Sequence, residues 1–162
     1  DRIEDAATRE KAETIIKLFG MSGGDSPDDK RIEEIGSSRL AFWDCPLNRK
    51  WADERKDLGQ SFTESKSENT IDRIAGTAKN PRHTERVPAG SVFDFRLTLK
   101  ILDGDGEVLP DTLLTGLKLL EYDSLGGSGS RGYGKVVFDN LRLNDEDASE
   151  RFASVAPFGA AA

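Results

Sequence analysis

Leu125 to Lys135, L-G-G-S-G-S-R-G-Y-G-K, places five glycines in eleven residues, with an arginine, a tyrosine and a lysine set among them. Glycine at that density marks backbone in left-handed conformations, or backbone that another group must approach closely. Bare N–H groups in such a loop form concave anion sites, and Arg131 and Lys135 add positive charge beside them. A phosphate-bearing ligand fits that chemistry. The bland alternative is a flexible surface linker, but a spacer has no need of the embedded Arg, Tyr and Lys.

Three motifs overlap this loop. Gly127, Gly129 and Gly132 fit G-x-G-x-x-G, a dinucleotide fingerprint that needs a strand before it and a helix after. The order here is the reverse, because a helical pattern (Leu109 to Glu121) precedes and a β-rich run (Val136 to Leu143) follows. Gly129 to Lys135 fits G-x-x-x-x-G-K, yet Val136 stands where a magnesium-binding Ser or Thr is required. Arg131 to Phe138, R-G-Y-G-K-V-V-F, follows the RNA-recognition signature apart from Lys135 in place of Phe. In that module aromatics on a sheet stack bases while the basic residue takes phosphate.

The chain has 162 residues, one ordinary domain's worth, and a net charge of −7 that argues against a generic nucleic-acid binder. The charge is uneven: residues 71–100 carry 6 basic and 3 acidic groups, whereas residues 101–162 carry 5 and 11. A basic stripe on an acidic body can bind nucleic acid through its local field, and it also suits self-association of unlike faces. Cys45 and His83 are the only residues of their kinds, which rules out an internal disulfide and a His-rich zinc site. The charged start carries no leader pattern and no apolar run approaches membrane length, so a cytoplasmic protein with no membrane partner is expected.

Along the chain, Asp5 to Phe19 predicts a helix with Ala12, Ile15, Ile16 and Phe19 on its apolar face and Gly20 at its C-cap. Gly20 to Gly36 reads as a polar loop, and Ser38 to Asp44 as a strand with Arg39, Ala41 and Trp43 on one side. Pro46 to Ser61 is charged and lacks a clear period. Thr63 to Pro88 is long and polar, with turn signals at Ala75-Gly76 and Asn80-Pro81, and predicts an extended ribbon. Ser91 to Ile101 alternates strictly, placing Phe93, Phe95, Leu97, Leu99 and Ile101 on a buried face of an antiparallel sheet. Asp103-Gly-Asp-Gly-Glu107 makes a turn and not a calcium loop, since Val108 occupies the position that needs glycine. Pro110 opens a helix through Leu113, Leu114, Leu117 and Leu120, and residues 145–162 form a flexible tail. The whole is an α+β chain, half of a ferredoxin-like domain with embellishment and apparently without its first strand.

The ordered set S-S-R-L (Ser37 to Leu40), E-N-T-I-D-R (Glu68 to Arg73), N-P-R-x-x-E-R-V-P-A-G-x-x-F-D-F (Asn80 to Phe95) and L-L-E-x-D-x-L-G-G-S-G-S-R-G-Y-G-K (Leu119 to Lys135) resembles the backbone RAMP subunit of type III, Csm-type CRISPR effector complexes. The resemblance covers about Lys17 to Leu143. It implies a single RAMP domain over residues 1–144, ferredoxin-like (RRM-like), with a β-thumb insertion at about 63–88. Copies of the subunit would polymerise along a CRISPR guide RNA beside other effector subunits, each thumb flipping a base between guide and target RNA. Ile71 or Ile74 would be the apolar wedge, with Glu68 and Arg73 supporting residues near the cut site. Gly127, Ser128, Gly129, Ser130, Arg131, Tyr133 and Lys135, with Arg39, Arg82 and Arg86, would hold RNA. The family cleaves target RNA with magnesium or manganese and an aspartate on a loop that no stretch of this chain matches, so the aspartate is expected upstream of Asp1 and no metal ligand is assigned here. Two other classes remain open: a stand-alone single-stranded RNA-binding module using Arg131, Tyr133 and Phe138 as a stacking platform, and a metal-dependent hydrolase built on Asp103 and Asp105.

Overall fold

The structure, a computed structural model, describes residues 5–21 and 35–159. It is a mixed α+β chain, as the pattern of elements predicts. Its contacts divide it into two units, one made of Asp1–Ala41 with Thr98–Ala162 and the other of Phe42–Leu97. Most of the polar loop expected at Gly20 to Gly36 lies outside the described residues.

The first unit begins with α1 (Ala6–Phe19), where the Asp5 carboxylate accepts the Thr8 N–H at 2.9 Å. Gly20, at φ 85°, donates its N–H to the Ile16 carbonyl at 2.7 Å and ends the helix as expected. The expected face is turned by about one residue: Leu18 and Thr14 are buried, whereas Ile15 and Phe19 are 53% and 60% exposed. Thr14 can occupy the core because its hydroxyl donates to the Glu10 carbonyl at 2.9 Å, a bond that residue counting does not anticipate. Helix α3 (Val108–Tyr122) buries Leu113, Leu114 and Leu117 as predicted, with Leu109 buried in place of half-buried Leu120, and it packs on α1. Ile35, Leu40, Ala148 and Phe152 complete this core. Residues 145–162, expected as a tail, contain β6 (Glu146–Asp147), paired with β5 (Arg142–Leu143), and a short helix α4 (Ser149–Ala153). Phe152 on that helix is buried, edge-on to Phe138 at 6.1 Å and beneath the Lys118 ammonium at 4.7 Å.

The expected strands are shorter than their alternation suggests. Regular pairing is confined to β1 (Leu40–Phe42) and β4 (Leu97–Leu99). Beyond Phe42 the partners still run antiparallel: Trp43 N–H to Arg96 O, Asp94 N–H to Pro46 O and Asn48 N–H to Val92 O. Between the first two bonds, Asp44 and Cys45 face Phe95 alone, and Pro46 has no N–H to give. The ladder therefore breaks, and Phe93 and Phe95 stay 44% and 36% exposed; Ile101, past the other end of the pair, is 52% exposed, so no core face forms. The aperiodic stretch after Pro46 holds a helix, α2 (Arg49–Asp57), started by Asn48, whose side chain accepts the Trp51 N–H at 3.2 Å. Trp51 packs on Phe62 and under Arg55.

The ribbon is present as an antiparallel hairpin of β2 (Glu64–Asp72) and β3 (Thr77–Arg86). Ala75-Gly76 lies in its turn, with Gly76 at φ 66°. Asn80-Pro81 is no turn. Glu68 pairs with Arg82 and Thr70 with Lys79, so Asn69 faces both Asn80 and Pro81, and Asn80 takes φ 53°. The proline sits at a bulge, where a missing N–H costs the ladder little.

Candidate nucleic-acid interface

Helix α3 delivers the glycine loop. Lys135 Nζ donates to the carbonyls of Tyr122 at 3.0 Å and Asp123 at 2.6 Å, a cation at the helix C-terminus where unpaired carbonyls collect. The Leu125 N–H donates to the Gly134 carbonyl at 2.8 Å and closes the neck of the loop. A side chain on Gly134 would bring Cβ to 2.1 Å from the Leu125 carbonyl oxygen, and one on Gly129 to 2.0 Å from Ser124 Oγ. These two glycines are demanded by close approach.

Inside the neck, a single 3-10 turn (Gly129–Arg131) lies between two left-handed residues, Ser128 at φ 63° and Gly132 at φ 78°. A left-handed residue followed by a right-handed one turns successive N–H groups, here of residues 128–130, toward one side. That is the concavity of an anion-binding nest. Ser128, Ser130 and Arg131 are exposed, Gly129 and Tyr133 half-buried, and Gly127 exposed. The sequence reading expects an anion site in this loop. The structure adds that Lys135 is engaged with the helix end.

Residues 131–138 do not form a strand, contrary to the RNA-recognition signature. The backbone there is spent on α3 and the chain just after it: the Gly134 carbonyl accepts the Leu125 N–H, and the Phe138 N–H donates to Glu121 Oε1 at 2.8 Å. Of the closing strand expected from Val136 to Leu143, only Arg142–Leu143 is regular. Arg131, Tyr133 and Phe138 therefore share no sheet face, and Phe138 packs on Phe152.

Arg39 has an internal position. It is 4% exposed, and its guanidinium grips Asp105 with Nε to Oδ2 at 2.9 Å and Nη2 to Oδ1 at 3.2 Å. Its Nη1 donates to the carbonyls of Ile35 and Ser37. Asp105 also accepts the Leu102 N–H and lies 3.5 Å from Lys17 Nζ. The Arg39 hydrogen bonds, aided by Leu102 and Lys17, hold the Asp105 carboxyl down at about 2 against the cost of burial. The turn carboxylate thus anchors the start of β1. Asp105 is committed to Arg39, and among the described residues no group of three His, Cys, Asp or Glu is placed to hold a metal ion.

The hairpin carries the remaining expected residues. Glu68 pairs with Lys66 at 3.0 Å and stands opposite Arg82, and Arg86 Nε donates to Glu64 at 2.6 Å. Arg73 lies in the turn, Ile71 is 64% exposed, and Ile74 is fully exposed at the tip. Two features escaped the sequence reading. Lys79 Nζ meets Asp72 Oδ2 at 2.5 Å, and with the N–H groups of Ala75 and Ile74 it lowers the Asp72 pKa. Ser67 Oγ and His83 Nδ1 are 3.0 Å apart on the opposite face. Cross-strand register is the signal for both, and the unrecognised bulge hid it.

The RAMP superfamily model matches residues 2–137. The chain belongs to the RAMP superfamily. This RAMP chain is 47% identical over 135 residues to the CRISPR system Cms endoribonuclease Csm3 of Streptococcus thermophilus, an alignment of 81% of the chain and 56% of that protein. The Csm3 proteins of Methanocaldococcus jannaschii and Mycobacterium tuberculosis are 40% identical over 131 residues and 41% over 143. Those alignments cover 80% and 79% of this chain, and 48% and 55% of the relatives. The Csm-type resemblance is borne out, and the chain spans about half the length of the curated relatives it matches. No helix among the described residues is long and apolar enough to cross a membrane.

Proposed function

We propose that this chain acts as the guide-RNA-binding backbone of a type III CRISPR interference complex that cuts target RNA at regular intervals in antiviral defence. The observation that carries the proposal is the left-then-right turn at Ser128–Gly129, beside exposed Arg131, in a chain whose relatives are named Csm3 endoribonucleases. Backbone N–H groups and a guanidinium hold phosphate without reading bases, which is what a guide of changing sequence requires. In this reading the body is ferredoxin-like, and copies of it line up along the guide with other effector subunits and the target RNA.

The hairpin Glu64–Arg86 is the proposed thumb. Ile74 and Ile71, exposed at and near its tip, are the wedge that unstacks a base, and Arg73 and Arg82 take neighbouring phosphates. Glu68 and Arg73 support the cut site. Cutting is assigned to magnesium or manganese in the assembled complex, and no residue of this chain is assigned to hold the metal. A stand-alone RNA module has less support, because its stacking platform is not assembled on a sheet.

Affinity purification of the chain within its effector complex tests the reading. Small guide RNA of uniform length and further copies of the subunit are expected. Heterogeneous RNA without further copies would favour the stand-alone module, and no RNA would defeat both.

A further inference from the structure

The strand pair that opens and closes the second unit has two unlike faces. On one, half-buried Leu97 lies opposite Phe42, with Phe95 and Phe93 following, and the three phenylalanines are 36–60% exposed. On the other, the Trp43 N–H donates to the Arg96 carbonyl at 3.2 Å, which sets these residues opposite each other across the pair. Opposed residues project to the same face. Trp43 is 60% exposed as a residue, Arg96 is exposed, and among the described residues Arg96 has no carboxylate partner. The nearest acid along that face, Asp94, is held by the Asn48 amide at 2.9 Å.

We propose that Trp43 and Arg96 form a stacking site for single-stranded RNA bases, separate from the glycine loop. An indole face and an adjacent guanidinium supply what such strands need, a sequence-tolerant π-surface and a charge for the phosphate. The purely apolar Phe42–Phe95 face lacks the second. Local charge agrees with a polyanion as occupant: Phe42 to Leu97 carries ten basic and nine acidic residues, against 13 and 21 in the rest of the chain. The inference rests on the RNA-binding reading above and extends it to a base-contacting site.

Trp51 is the only other tryptophan, so in a Trp51→Phe background Trp43 is the sole indole. Polyuridylate is titrated in, with binding followed by anisotropy of the labelled RNA and by indole emission, and folding checked by circular dichroism. Emission should be quenched along the binding curve. Trp43→Ala should weaken binding by about 5- to 150-fold, the equivalent of ~1–3 kcal/mol per stacked base, while Trp43→Phe retains most of it. Arg96→Ala should lower the salt slope by about 0.7. If RNA binds and Arg131→Ala weakens it, but emission is unmoved and Trp43→Ala has no effect, the stacking site is refuted while the RNA-binding reading stands. Absence of RNA binding refutes both. Emission that changes only with protein concentration marks a protein interface and also overturns the proposal.

Discussion

The apolar core among the described residues, from Leu18 to Phe152, lies in the first unit, whereas the second, Phe42 to Leu97, buries only Pro88. The two units are held together by different physics. In the first, leucines of α1, β1 and α3 exclude water, and the ion pair of Arg39 with Asp105 is buried as well. The second unit relies on a capped helix, a hairpin ladder and exposed ion pairs, each worth ~0–1 kcal/mol. A two-stranded ribbon by itself is marginal in water. One unit should therefore be damaged by a single atom's change and the other should tolerate the loss of a dozen residues.

Asp105→Asn gives the sharpest break. It leaves the Arg39 guanidinium buried without its counter-charge and should cost ~3–5 kcal/mol, read from the shift of a urea transition. A loss below ~1 kcal/mol would mean that the pair is not the anchor described. The same pair fixes an acid dependence. The folded Asp105 carboxyl titrates at about 2, below its ordinary 3.8, so its stabilising contribution is complete above the ordinary value. That contribution falls away as pH drops from about 4 toward 2. Melting of the parent chain should show this loss, and Asp105→Asn should remove that component of it.

Arg131 belongs to the first unit but is exposed, so melting should hardly move in Arg131→Ala. RNA affinity should fall, and its log–log salt slope should flatten by about 0.7 for a single-stranded partner. An unchanged slope would take Arg131 out of the phosphate cradle. The smallest effect on melting is expected from the largest edit. Replacing Glu68 to Arg82 by a short Gly-Ser linker removes no core residue, and loop-closure entropy changes slowly with length. In the complex, the same edit should leave guide binding largely intact but abolish periodic unpaired bases in the guide–target duplex, scored by chemical probing. A large fall in melting temperature would show that the second unit contributes more than the comparison allows.

What was legible in the sequence follows the same division. Leu113, Leu114 and Leu117 repeat at helical spacing and are buried as read, because a leucine has one way to lower its free energy, whereas Leu120 is only half-buried. The glycine loop was legible because its conformation needs that residue. Arg39, expected from the resemblance as an RNA contact, is instead buried against Asp105, 66 residues away in sequence. Helix α2 was missed because Asn48 and side-chain pairs start it without an apolar stripe. The aromatic alternation of Ser91 to Ile101 was taken for a core face, yet its ladder is broken from across the strand at Asp44, Cys45 and Pro46. The misses at Arg39 and along Ser91 to Ile101 involve a partner distant in sequence or a backbone irregularity, neither of which local spacing encodes.

The bulge at Asn80-Pro81 changes the parity of β3. In an unbroken strand, odd and even positions point opposite ways, so Lys79 would project away from Arg82 and Arg86. The extra residue cancels that inversion: Lys79 stands across from Thr70, as Arg82 does from Glu68 and Arg86 from Glu64. All three cations line one side of the ribbon, with steps of about 7 and 13 Å set by strand rise. Deleting Asn80 alone would leave every charge in place in composition, yet it would carry Lys79 to the far side and away from Asp72. A single uncharged residue thus determines whether the ribbon is electrically one-sided.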